Sequence, residues 1–155
     1  MECLKTARYY GEAAKQLIRM TSEESDLRSA LLLEQAAYCF LASSPAMHRT
    51  YAFQIVLSGN RYSRAGQRKH AYRCYSQAYQ VFQKKGWSLA EDNIQYTMAK
   101  QAYMLKKLEE ASRSLAHLLR PGSLQNGQQQ LSFFKEFIQT QNVMLMVNNN
   151  DLESF

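Results

Sequence analysis

Glycine and proline are scarce in this chain, with six and two among 155 residues. Leu, Ala, Gln, Lys, Arg and Glu are abundant instead, which favours helix over sheet and excludes collagen-like or loop-rich architectures. Long apolar runs are missing too. The richest stretch, Ala30 to Ala42, is broken by Glu34 and Gln35 and stops at Ser43, well short of the roughly 20 residues that a membrane span requires. The opening MECLKTARYYGEAAK has no apolar centre of the kind a signal peptide needs, and the expectation is a cytosolic protein. Cysteine is limited to Cys3, Cys39 and Cys74, odd in number and widely spaced, so neither a disulfide framework nor a zinc site is indicated. Cys39 and Cys74 read as small buried hydrophobes.

The signatures of catalysis are absent as well. His48, His70 and His117 fall in different expected elements, none with another metal ligand four residues away. The chain contains no P-loop, G-x-S-x-G, H-E-x-x-H or G-x-G-x-x-G. Glu23-Glu24 and Glu109-Glu110 stand at or just before expected helix starts, where the helix dipole accounts for them. Catalytic residues, cofactors and metals are therefore expected to be none.

A core is well supplied, with 46% hydrophobic residues, ten Tyr and seven Phe. The clearest pattern lies in Tyr51 to Lys85, where Gly59 and Tyr62 stand as G-x2-Y, Ala71 and Tyr75 as A-x3-aromatic, and Ala78 about one turn further. This is the spacing of a tetratricopeptide-type hairpin, in which small residues at Gly59, Ala71 and Ala78 let two antiparallel helices approach and Tyr62 and Tyr75 fill the gap. The match is partial, because Ile55 and Ser58 stand where Trp and Leu are usual and Gln83 replaces the closing proline. A-x3-hydrophobe recurs at Ala14 and Ala111. The expected fold class is all-α, an α-solenoid of antiparallel helical hairpins over residues 1–142, followed by a tail over 143–155.

Individual elements follow from local signals. A short helix from Met1 to Tyr10 and a second from Glu12 to Met20 are expected with Gly11 as their turn, so that the chain looks like a fragment entering partway through a hairpin. Ser25 or Asp26 would cap a helix from Leu27 with so narrow a polar face that it should be sandwiched between neighbours. Ser43-Ser44-Pro45 supplies a cap and a first-turn proline for the next helix. Ala65-Gly66-Gln67 turns the central hairpin, and Lys84-Lys85-Gly86 ends it. Helices from about Leu89 to Leu105, Glu109 to Leu119 and Leu124 to Thr140 complete the chain, the last capped by Ser123 and using Leu131, Phe134, Phe137 and Ile138 as cover. VMLMV after Asn142 reads as β-prone or core-filling.

The net charge of +6 is concentrated. Met1 to Glu34 holds five cations and six acids, and Glu91 to Phe155 six and seven, whereas Gln35 to Ala90 holds eight cations and no carboxylate. Arg61, Arg64, Arg68, Lys69 and Arg73 form the candidate partner-binding basic face. Interleaved tyrosines would suit single-stranded nucleic acid, but several are committed to packing, so no nucleic acid is expected and the face should meet a protein or an anionic membrane surface. A basic nucleic-acid-binding module and a free-standing repeat receptor for peptide tails stand as the alternatives.

Ile18 to Phe40 and Tyr51 to Ile94, within a likeness covering roughly Tyr9 to Thr140, resemble the large helical subunit specific to the third form of the TRAPP complex, the transport protein particle that tethers vesicles. That resemblance implies a non-catalytic scaffold acting between endoplasmic reticulum and Golgi and in autophagy. It implies other TRAPP subunits as partners, a Rab-family GTPase indirectly, and peripheral association with Golgi and early secretory or autophagic membranes. The family protein is several times longer, and no catalytic motif carries over.

Overall fold

The computed structural model describes residues 9–153, without the side chains of 150–153. Cys3 and the helix expected before Tyr10 lie outside the described residues. Helices α1 (Tyr10–Met20), α2 (Asp26–Ala42), α3 (His48–Arg64) and α4 (Arg68–Phe82) belong to one compact unit, and α5 (Ser88–Met104), α6 (Leu108–Leu118) and α7 (Gly127–Glu153) to a second, the division falling at Gly86 and Trp87. No strand occurs among the described residues. The fold is all-α and built from sequentially packed helices, as the residue pattern requires.

In the first unit, α1 buries Ala13, Ala14 and Leu17 against Ala36, Cys39 and Phe40 of α2. Gly11 is inside α1 rather than a turn before it, since the helix starts at Tyr10 and the Ala13 amide already donates to the carbonyl of the cap residue Tyr9 at 3.0 Å. Packing α1 on one flank of α2 and α3 on another leaves a third arc open. The sandwich expectation therefore holds only in part, because Leu27, Leu31 and Tyr38 remain at 42%, 52% and 39% of their full exposure.

The link from α2 to α3 departs from the sequence reading. Pro45 precedes the first residue of α3 by three positions, and the Ser43 hydroxyl donates backward to the Phe40 carbonyl at 2.7 Å instead of capping forward. Ser25 occupies the cap position of α2 with extended backbone, yet its side chain makes no capping bond. Asp26 is drawn off to arginines of α3, described below. Ala65-Gly66-Gln67 turns α3 into α4 as expected, with Gly66 at φ 74°, a conformation costly for any residue carrying a Cβ.

In the second unit, Ala99, Leu115, Leu118 and Phe133 form the core, with Tyr96, Leu119 and Phe137 against it. α7 starts at Gly127, not Leu124, because Asn126 and Gln129 form a reciprocal cap: the Gln129 amide donates to Asn126 Oδ1 at 2.8 Å and the Asn126 amide to Gln129 Oε1 at 3.4 Å. That start fixes the face. Phe133 points inward, while Leu131, Phe134 and Ile138, expected as cover, stay exposed. VMLMV is helical rather than β, and α7 continues through Glu153.

Candidate functional site

The central hairpin is held by a close helix crossing at Gly59. A Cβ placed there would lie 2.9 Å from Tyr75 Cε1 and 3.2 Å from Cys74 Cβ, so only glycine lets α3 and α4 meet at this spacing. Ala71 and Ala78 are fully buried and Tyr62 and Tyr75 nearly so. Tyr75 Oη donates to Asn60 Oδ1 at 2.6 Å, and burial pushes its phenol up to about 12. Burial likewise raises the Cys74 thiol to about 11, which makes it a packing residue rather than a nucleophile at neutral pH.

Beside this apolar crossing sits a polar centre that the sequence did not announce. Glu34 of α2, nearly buried, accepts two bonds from the Arg73 guanidinium, at 2.7 and 3.0 Å, and one from Tyr62 Oη at 2.9 Å. Burial alone would raise its carboxyl pKa. The hydrogen bonds from Arg73 and Tyr62, with the Arg73 charge, outweigh burial and leave it below the ordinary carboxylate value. Tyr62 moves upward, through burial first and then through its bond to the carboxylate. Its ring also lies 5.3 Å from that of His70.

The five cations of the proposed basic face thus have different surroundings. Arg61 and Arg64 both approach Asp26 Oδ1, at 2.8 and 2.9 Å, and Arg73 is held by Glu34. The pairing acids come from α2, outside the carboxylate-free segment, which is why a charge count along the chain overstates the freedom of these arginines. Arg68 and Lys69 remain exposed at the start of α4. Since Tyr62 and Tyr75 are buried and Tyr51 packs on Tyr38 at 5.9 Å between ring centres, these rings are not presented as a base-stacking platform.

The second unit has its own polar cluster, also missed by sequence reasoning. Asp92, 1% exposed, receives Arg120 Nη2 at 3.2 Å and Gln125 Nε2 at 3.1 Å, while His117 Nε2 lies 3.4 Å from Glu91 Oε1 and its ring also contacts Arg120. Burial, then the Arg120 charge, lowers the His117 pKa, so the imidazole is neutral at pH 7. These groups tie α5 to α6 and to the start of α7. A cleft of about 430 Å³ is lined by Asp92 and Gln125 of this cluster together with Tyr96 and Phe133, and a separate one of about 360 Å³ by Tyr96, Lys100, Met104 and Glu136 among others, with the Lys100 ammonium 4.3 Å from the Tyr96 ring centre. No group of three or more His, Cys, Asp or Glu able to hold a metal ion occurs among the described residues, and no helix there is long and apolar enough to cross a membrane.

No family model matches the chain. Over 137 residues it is 53% identical to the human trafficking protein particle complex subunit 8, a stretch that takes in 88% of this chain and 10% of that protein. The chain therefore spans about a tenth of the length of the relative it matches. The likeness noted in the sequence is to a segment of a TRAPP subunit.

Proposed function

We propose that this chain is a scaffold segment of a TRAPP-type tethering complex, non-catalytic, and acting in vesicle transport between endoplasmic reticulum and Golgi and in autophagy. The observation that carries the reading is the high identity to the human subunit over nearly the whole chain. A matched stretch of that length takes in parts of both packed units, which favours a common structural role. The geometry supports a binding rather than a chemical role: its buried polar groups are spent on joining helices, and its exposed cations converge on no reacting centre. On this reading the basic face of Arg61, Arg64, Arg68, Lys69 and Arg73 meets other TRAPP subunits, and through them the chain is linked to a Rab-family GTPase. Its place is cytoplasmic, peripheral to Golgi and early secretory or autophagic membranes.

The test is reconstitution with purified TRAPP subunits expressed together with the tagged 155-residue chain. Co-elution of the chain with the complex, reduced by Arg68→Glu combined with Lys69→Glu while circular dichroism stays unchanged, is expected. A chain that elutes alone at every salt concentration would sink the proposal.

A further inference from the structure

The cleft between α5 and α7 is apolar at its base and charged at its mouth. Ala99 of α5, Leu115 of α6 and Thr140 of α7 form the base and are all but buried. The Thr140 hydroxyl is spent on the Glu136 carbonyl at 2.8 Å, so the base offers a ligand apolar contact. Tyr96, Tyr103 and Met104 wall the α5 side, and the slot holds about 360 Å³. All of these residues belong to the second unit. Because Tyr96 and Met104 stand eight residues apart on one helix, the slot runs for about 12 Å.

Two opposite charges flank it without meeting. On the α5 lip the Lys100 ammonium lies over the Tyr96 ring, 4.3 Å from its centre, and it pairs with no carboxylate among the described residues. On the α7 lip Glu136 Oε1 accepts the Tyr96 hydroxyl at 3.1 Å, which leaves Oε2 able to accept a further donor. Tyr96 therefore fixes both groups, its ring face under one and its hydroxyl on the other.

We propose that this slot binds a short peptide segment of a partner protein, with one long apolar side chain (Leu, Met or Phe) seated on Ala99 and Leu115 and a neighbouring Asp or Glu paired with Lys100. The proposal deepens the scaffold reading and rests on it for the kind of partner. Three features select the occupant. A mostly apolar cleft of this volume is at the small end of ligand pockets and suits a side chain. Its length matches about three or four extended residues rather than a small solute. The charges decide the rest: an ammonium with no acid beside it calls for a carboxylate, and Glu136 Oε2 suits a backbone N–H, which a peptide has and a fatty-acid tail lacks.

The experiment follows peptides of about eight residues, long enough at roughly 3.3 Å each to overrun the slot, by methyl NMR of the full 155-residue chain. One peptide carries Leu with Glu two positions on, in a Gly-Ser background; in two others Gln replaces the Glu or Ala replaces the Leu. The first is expected to shift the methyl signals of Leu115 and Met104 and to bind several-fold more tightly than the Gln version, the gap closing as salt rises. The Ala version should leave those signals in place. Lys100→Glu should invert the preference, so that the Gln version binds more tightly than the Glu version. Lys100 and Met104 are exposed, so Lys100→Glu and Met104→Ser should each weaken the first peptide while circular-dichroism melts stay unchanged. Equal affinity for the Glu and Gln versions, a preference that survives Lys100→Glu, or methyl shifts that spare Leu115 overturn the proposal. So does laurate moving the same signals at lower concentration than the peptide. Parallel reconstitution keeps the two readings apart: TRAPP assembly that is reduced by Arg68→Glu with Lys69→Glu, in a chain whose slot takes no peptide, leaves the scaffold reading standing and removes this one.

Discussion

Gly59 and Tyr75 meet across the central hairpin with no space for a methyl group between them: the missing Cβ of Gly59 would stand 2.9 Å from Tyr75 Cε1. Tyr75 cannot swing away freely, being 2% exposed and tied through its hydroxyl to Asn60. Gly59→Ala would gain about 1 kcal/mol of helix propensity and lose about 1 to 3 kcal/mol to overpacking, and the backbone-anchored Cys74 Cβ at 3.2 Å tilts the sum toward loss. Urea unfolding is expected to show net destabilisation for Gly59→Ala, and also for Ala71→Leu and Ala78→Leu, while exposed Gln80→Leu is neutral. Wild-type stability in Gly59→Ala would mean the two helices can part without cost.

The Glu34 carboxylate makes a second prediction. Arg73→Met removes two of its three donors and leaves a nearly buried charge with Tyr62 alone. Because the Arg73 side chain is itself partly exposed, the cost is about 1 to 2 kcal/mol rather than that of a fully dry pair. Glu34→Gln combined with Arg73→Met should recover part of it, which a denaturant titration of all three variants will decide.

Acid stability follows from the same group. The folded pKa of Glu34 is lowered, so the unfolded chain binds protons more readily. Its contribution is present above the ordinary glutamate value of about 4.3 and is lost as pH falls through the folded value. Thermal melts of the wild type should therefore decline more steeply below that point than those of Glu34→Gln, and parallel declines would remove the linkage.

Lys84 and Lys106 have φ of 57° and 61°, a left-handed conformation that ordinary side chains adopt at a cost. Replacing Lys106 by glycine should stabilise the chain by roughly 0.5 to 1 kcal/mol, or leave it unchanged where the freer unfolded chain offsets the relief. Lys106→Val should destabilise it. A stabilising valine would contradict the backbone geometry.

Nucleic acid provides the last test. With Tyr62 and Tyr75 buried, single-stranded oligonucleotides should bind weakly and without sequence preference at physiological salt. Tight binding with a log–log salt slope near −0.7 per contacted phosphate would reverse this.

The parts of the fold that were legible in the sequence are those set by local chemistry. Gly66 in a polar turn and the A-x3-Tyr spacing of Ala71 and Tyr75 each depend on neighbours within a turn or two, and each lies where periodicity puts it. What was not legible depends on partners far along the chain. Nothing near Glu34 announces Arg73, 39 positions away, and nothing near Asp26 announces Arg61. Segregation of charge along the sequence was real, but folding carried two α2 acids into the cationic segment. Competing caps explain the boundary errors: Ser123 and Pro45 were plausible starts, and Asn126 with Gln129 and the backward bond of Ser43 prevailed.

Glu34 also bears on when this unit can exist during synthesis. Until Arg73 has been made, a chain holding α2 and α3 has an acid in an apolar layer with at most one of its three donors, and hydrophobic collapse around it is penalised. The carboxylate thus weights the order of assembly: without α4, closing α2 on α3 forgoes both Arg73 donors and is disfavoured by the same order of about 1 to 2 kcal/mol.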